Sequence, residues 1–345
     1  MPNERAHFVL GLPSKLADAT IRAVLASDAS ATVVALAPNL AAAESSLADV
    51  RERVDLLEGA TWALDFGLSG AAYTELSRTV GFVHQIEDRE TERGSLERVF
   101  VRPVKEVLEF AEAARALERV VLHSTVFAAE AHGPVAYETD APGSPATAAP
   151  IKRERARAER IALRGAKRFP IVVARVGHLV EDPGAALVAA LLMLLDPRAL
   201  PTVARTGAVL PLSNLDYVAR ASVALATTPG TEGRTFHLVH PRQPSLDELL
   251  AALRDRIGRE QELGALERAR ALLSRELISS FLSDPRGFLD QLGSRVRYDT
   301  HRAQTTLAES GVESAPFEAH VDALARNILA RVPTARGSIP PPPPG

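Results

Sequence analysis

The 345-residue chain carries a formal net charge of -3, with 46% hydrophobic and 24% charged residues and no cysteine. That is an ordinary globular composition, and it excludes disulfides, thiolate metal sites and a cysteine nucleophile. No basic excess points to nucleic acid, and no acidic block to a solvating tail.

Read in chain order, His7–Leu10 is a short apolar run that enters Gly11, and a helical pattern follows over Ala17–Ala26. Thr32–Leu36 is a second strand-like run, Ala41–Leu57 reads as helix, and Val80–Val83 as a third strand. Ser95–Ala116 spaces its apolar residues helically, while Val120–Phe127 and Ile171–Arg175 read as strands. Short strands alternating with helices predict an α/β fold: a doubly wound parallel sheet, with its ligand crevice at the carboxyl ends of the strands. Ala131–Pro150 is rich in Gly, Pro, Ser and Thr and is expected to be a long loop over that crevice. Ile151–Gly165 predicts a helix with an arginine-rich solvated face, partly balanced by Glu154 and Glu159.

The most apolar stretch, Ala185–Leu195, is too short to cross a bilayer and reads as buried helix. Gln261–Leu292 is amphipathic and predicts a smaller, mostly helical C-terminal cap. Pro340–Pro344 is expected to be disordered or polyproline II. The expected organisation is a dinucleotide-binding-type domain over residues 1–180, a cap region over 181–335 interleaved with the last strands, and a proline-rich tail over 336–345. With no secretion-type leader and no cysteine, the expected compartment is the cytoplasm.

Several segments, in this order, resemble extended short-chain dehydrogenase/reductases. The likeness is greatest to the thioester-reductase-like branch, which includes the NAD-binding domain of fatty acyl reductases. HFVLGLPSKLADATIRAVL is similar to that family's first strand, glycine turn and helix. FGLSGAAYTELSRTVGFVHQIE is similar to the stretch ending in its His-x-Ala-Ala motif, and VVLHSTVFAAEAHGPVAYETD to its Ser-Thr strand and acidic loop. RARAERIAL resembles its lysine-bearing helix and FPIVVARVGHLVED its Arg-Pro-Gly strand; later segments resemble its substrate-side and closing regions. The resemblance spans nearly the whole chain and implies a Rossmann-type sheet.

At the positions that resemblance assigns to chemistry, the residues differ from the family's. Pyrophosphate needs bare backbone amides at a helix start, which glycines expose. The family's Gly-x-x-Gly-x-x-Gly reads Gly11, Ser14, Ala17 here, with Lys15 as a possible replacement charge. The second strand ends in Ala37-Pro38-Asn39, which has neither an acid for a ribose nor an arginine for a 2′-phosphate, although Asn39 is able to hydrogen-bond a ribose. The family's two small alanines correspond to Ile86 and Glu87, whose bulk and charge oppose a pyrophosphate. His84 falls at the family's histidine and reads as a structural strand residue.

In the family a tyrosine, its pKa lowered by a nearby lysine, exchanges the substrate's proton while hydride passes to or from nicotinamide. Thr125 fits the catalytic hydroxyl position, but Ile151 falls at the tyrosine and Arg155 at the lysine. An isoleucine has no proton to give, and an arginine does not titrate in this range. Tyr137, in the loop, is the nearest other phenol. The nine histidines show no metal-ligand spacing, so no metal is expected.

Three functions follow. The first is a non-catalytic relative of the dehydrogenases with a binding, scaffold or regulatory role and no cofactor. The second is an NADP-dependent reductase of an acyl thioester or related carbonyl, binding NADP or NAD if the cleft still accepts a dinucleotide. The third is a sensor of a small anionic ligand held by Lys15 and Arg155. The expected partners are a protein, a second copy of the chain or that anion, with no nucleic acid and no membrane span.

Overall fold

The computed structural model describes residues 5–86, 95–143, 148–195, 208–260 and 295–330. Glu87, Gln261–Leu292 and the proline-rich tail lie outside the described residues. The described chain begins with β1 (Ala6–Leu10), α1 (Lys15–Ser27), β2 (Val33–Ala37), α2 (Leu40–Ser46) and β3 (Val54–Glu58). Then come α3 (Gly70–Thr79), β4 (Val80–Gln85), α4 (Arg102–Ala113), β5 (Arg119–Thr125), β6 (Val135–Ala136), α5 (Pro150–Gly165), β7 (Ile171–Val176) and β8 (His178–Leu179). The remainder is α6 (Ala185–Leu194), β9 (Leu212–Ser213), α7 (Leu215–Thr227), β10 (Thr235–Leu238), α8 (Leu246–Glu260), β11 (Arg297–Tyr298), α9 (His301–Ala308) and α10 (Phe317–Ala330).

Seven strands form one sheet in the order β10-β7-β5-β4-β1-β2-β3, and every pairing is parallel. β1, β2 and β7 are buried throughout their length, as continuous apolar runs must be when helices cover both faces of a parallel sheet. Alternation along the strands divides the core. Val9, Val121 and Val172 join the helices α1 and α7 in one apolar cluster; Phe8, Leu122 and Val173 join α4 and α5 in the other. The order of the strands reverses between β1 and β4, which makes their carboxyl ends the topological switch point where such sheets bind ligands.

Two expectations are corrected. The helix expected over Ala41–Leu57 stops at Ser46, and Val54–Glu58 is instead the edge strand β3, registered on β2 from Val33↔Val54 to Ala37↔Glu58. Leu47, Val50 and Val54 mimic a helical stripe, but five backbone pairings to β2 are available to an extended segment and to no helix. The loop expected over Ala131–Pro150 is anchored through much of its length. β6 pairs with β11, and the buried Glu138 carboxylate accepts from the backbone amides of His237 (2.9 Å), Arg302 (2.7 Å) and Ala303 (3.1 Å). Glu138 thereby caps the start of α9.

The chain divides into two compact units. The first comprises residues 1–179, 211–243 and 296–315 and contains the seven-stranded sheet; the second comprises 180–210, 244–295 and 316–345. The described part of the second unit is mostly helical. In it α8 packs on α10, Arg254 donates to the carbonyls of Leu194 (3.0 Å) and Leu195 (3.3 Å), and Arg256 pairs with Asp322. No described helix is long and apolar enough to cross a membrane.

Candidate active site at the switch point

The β1–α1 turn brings Gly11, Ser14, Ala17 and Ile86 together. Gly11 sits at φ +106°, and a β-carbon there would lie 2.0 Å from the Ile86 carbonyl oxygen. The Ile86 amide in turn donates to Leu10 O at 3.3 Å. β4 thus runs hard against the first turn at the point where a dinucleotide would cross. The Ile86 side chain is 1% exposed and shares an apolar cluster with Leu12, Leu16 and Ala17. It is a core residue, not a wall residue of the crevice. Ser14 is the N-cap of α1: its hydroxyl accepts from Ala17 N at 3.1 Å and its carbonyl from Asp18 N at 3.0 Å. A serine cap satisfies a helix-start amide internally, and that amide is one of those a pyrophosphate uses. Lys15 is exposed on the first turn.

Asn39 also serves as a cap, its Oδ1 accepting from Ala42 N at 3.1 Å at the start of α2. Thr125 ends β5, buried, with Oγ1 accepting from Phe127 N at 3.4 Å. On α5, Ile151 packs half-buried against the α4-side core, and the half-buried Arg155 guanidinium lies 4.6 Å from the Phe100 ring centroid. The second contact draws Arg155 to Phe100, just ahead of α4. Burial pushes the phenols of Tyr73, to about 12, and of Tyr217 and Tyr298 upward. A family-type proton donor needs the opposite shift. Tyr137 is 53% exposed. Among the described residues no group of three or more His, Cys, Asp or Glu is placed to hold a metal ion.

The most elaborate polar arrangement went unnoticed at the level of sequence. Arg175, on β7, is wholly buried, and its Nε and Nη2 donate to Glu159 Oε1 at 2.9 and 2.6 Å. Ser124 donates to the other Glu159 oxygen at 2.5 Å, and Arg175 also reaches Asp140 O (2.9 Å). Its Nη1 lies 3.3 Å from His237 Nε2, while His237 Nδ1 lies 2.7 Å from Asp299 O. Since a carbonyl only accepts, His237 carries its proton on Nδ1 and offers Nε2 to the guanidinium. Glu159, expected to balance a solvated arginine face, is 1% exposed and faces the sheet. A charged residue inside the apolar run IVVARV was the available signal, because a buried charge requires a partner.

Burial holds His7 and His178 down at about 4, His123 and His237 at about 3, and His84 well below the usual range. These rings are neutral in the folded protein, while the unfolded chain protonates them near 6.5. The unfolded state therefore binds more protons between about pH 4 and 6.5, and stability falls as pH drops through that window. Glu138, pushed up to about 7 chiefly by desolvation against its three backbone hydrogen bonds, contributes the opposite slope but is one group against five. Lowering pH from 7 to 5 is expected to cost on the order of 5 kcal/mol. Urea midpoints measured at both values check this; a flat profile would contradict it.

Comparison with known proteins places the chain. An NAD-binding family model described as "Male sterility protein" matches residues 19–222. Among solved structures, the terminal R domain from the myxalamid PKS-NRPS biosynthetic pathway superposes with a TM-score of 0.75 at 17% identity, covering 96% of this chain and 91% of that one. Yeast methylglyoxal/isovaleraldehyde reductase Gre2, complexed with NADPH, gives 0.69 at 15% identity over 94% and 98%. A thiolation-reductase di-domain from an archaeal non-ribosomal peptide synthetase gives 0.69 at 17% over 95% and 75%. No curated protein matches. With this match and its doubly wound sheet, the chain belongs to the Male sterility protein family, within the thioester-reductase-like branch of the extended short-chain dehydrogenase/reductases.

Proposed function

We propose that this protein keeps the reductase scaffold as a non-catalytic binding or regulatory module and does not run the family's tyrosine–lysine hydride chemistry. The observation that carries this reading is the filled β1–α1 turn: the Ser14 hydroxyl occupies the Ala17 amide, and no side chain fits between Gly11 and the Ile86 carbonyl. A pyrophosphate would have to displace a cap that satisfies the helix at no cost in desolvation. The second support is Ile151 in place of a phenol, with Arg155 drawn to Phe100. Calorimetry with NADPH and with NADH is expected to give no binding. Micromolar affinity for either ends this reading.

A small anion is the ligand class that suits the altered crevice, with the exposed Lys15 at the start of α1 as its charge. Native mass spectrometry of the purified protein reads any retained ligand directly. The second reading, an NADP-dependent reductase of an acyl thioester or related carbonyl, is favoured by family membership and by Thr125 at the end of β5. It requires NADPH oxidation with an acyl-thioester panel, and a Tyr137→Phe variant tests the exposed phenol as donor.

A further inference from the structure

Three histidines and one serine form a continuous polar line through the core of the first unit. His7 on β1, His84 on β4 and His123 on β5 lie on one face of three adjacent strands, as the registers Val9↔His84 and His84↔Val121 require. His7 Nδ1 lies 3.1 Å from His84 Nε2, with the ring planes only 12° apart, so an N–H lies close to the plane of both rings. His84 Nδ1 lies 2.9 Å from Ser222 Oγ on α7, and Ser222 Oγ lies 2.9 Å from His123 Nε2.

A serine hydroxyl has one proton, so Ser222 donates to one imidazole and accepts from the other. That single proton gives the whole line a direction, because each neutral imidazole has one N–H and one bare nitrogen. Only two arrangements satisfy every link. In one, the N–H groups run from His7 toward His123, leaving His7 Nε2 bare and His123 Nδ1 protonated. In the other they run back, leaving His7 Nε2 protonated and His123 Nδ1 bare. The ends lie in different places. His7 lines a groove of about 820 Å³ together with Phe82, Ala23, Asp28, Val223 and Thr227, and among the described residues nothing bonds its Nε2. At the other end His123 Nδ1 is buried without a hydrogen-bond partner. Strand alternation puts His123 on the face of β5 that carries Thr125, two residues nearer the switch-point crevice.

We propose that His7, His84, Ser222 and His123 form a tautomeric proton relay joining the groove at the amino edge of the sheet to the Thr125 end of β5. When a proton arrives at His7 Nε2, Nδ1 passes its proton to His84 Nε2. His84 Nδ1 passes its own to Ser222, and Ser222 passes its own to His123 Nε2. Nδ1 of His123 then releases one: one proton in, one out, and no net charge left in the core. Burial keeps all three rings neutral, which this exchange needs. The relay requires no bound dinucleotide.

Nitrogen-15 spectra of the histidine rings test this. The native protein is expected to show His7, His84 and His123 each as one neutral tautomer with its proton on the same ring nitrogen, Nδ1 in all three or Nε2 in all three. Ser222→Ala, a change favourable to helix α7, is expected to turn His7 into a mixture of tautomers although Ser222 does not touch it. Ser222→Thr, which keeps the hydroxyl, is expected to restore the single native tautomer and so separates loss of the link from damage to packing. Unchanged His7 nitrogens in Ser222→Ala, a mixture in the native protein, or a mixture that persists in Ser222→Thr would each overturn the relay.

Discussion

Glu159→Ala is expected to destabilise the protein by about 3–5 kcal/mol, the range found when one partner of a buried ion pair is removed. The reason lies on the far side of the pair. Arg175 is wholly buried, and without Glu159 its guanidinium keeps only Asp140 O and His237 Nε2. Neither carries a negative charge, so a full positive charge stays in the core without a counter-ion. Ser124 loses its acceptor at the same time. Replacing both charges together, as Glu159→Leu with Arg175→Met, is expected to recover most of the loss, because an apolar pair of similar volume removes the desolvation cost as well as the attraction. Urea unfolding of the two variants decides the matter. A single variant within about 1 kcal/mol of the native protein would mean that the pair carries little.

Gly11→Ala is expected to cost about 3 kcal/mol or more, from two separable causes. The backbone at φ +106° strains any L side chain. In addition the new methyl group would meet the backbone of Ile86, with its carbonyl oxygen at 2.0 Å, and a backbone cannot swing aside as a flexible side chain does. Gly230→Ala is the matched comparison: it has φ +77° and nothing within 4 Å of an added β-carbon, so it carries the strain alone, about 1 kcal/mol. Denaturation of both variants reads the difference as the contact between β1 and β4. Equal losses would mean that β4 has room to retreat from the turn, and the filled-crevice reading of the site would weaken with it.

Much of the fold was legible because its signals are local. Continuous apolar runs such as HFVL and IVVAR mark strands buried on both faces. The exception, β3, shows the limit: Val54–Glu58 continues a helical stripe, and only its pairing with β2 makes it a strand. The candidate site was legible as a set of positions. Gly11, Ser14 and Ile86 meet at the switch point, but their environments were not readable. Ile86 as a core residue, Ser14 and Asn39 as caps, and Arg155 against Phe100 depend on contacts made across the turn or between helices.

By itself the sequence determined the alternation of strands and helices and the absence of thiol chemistry. Each of these is a property of residue type or of short-range period. Only the tertiary structure decided which polar groups share the interior. Glu159 and Arg175 are 16 residues apart, and His7, His84, Ser222 and His123 come from β1, β4, α7 and β5. No local rule brings them together. They meet because parallel strands adjacent in the sheet are distant in the chain, and a buried polar group is stable only where the fold delivers its partner.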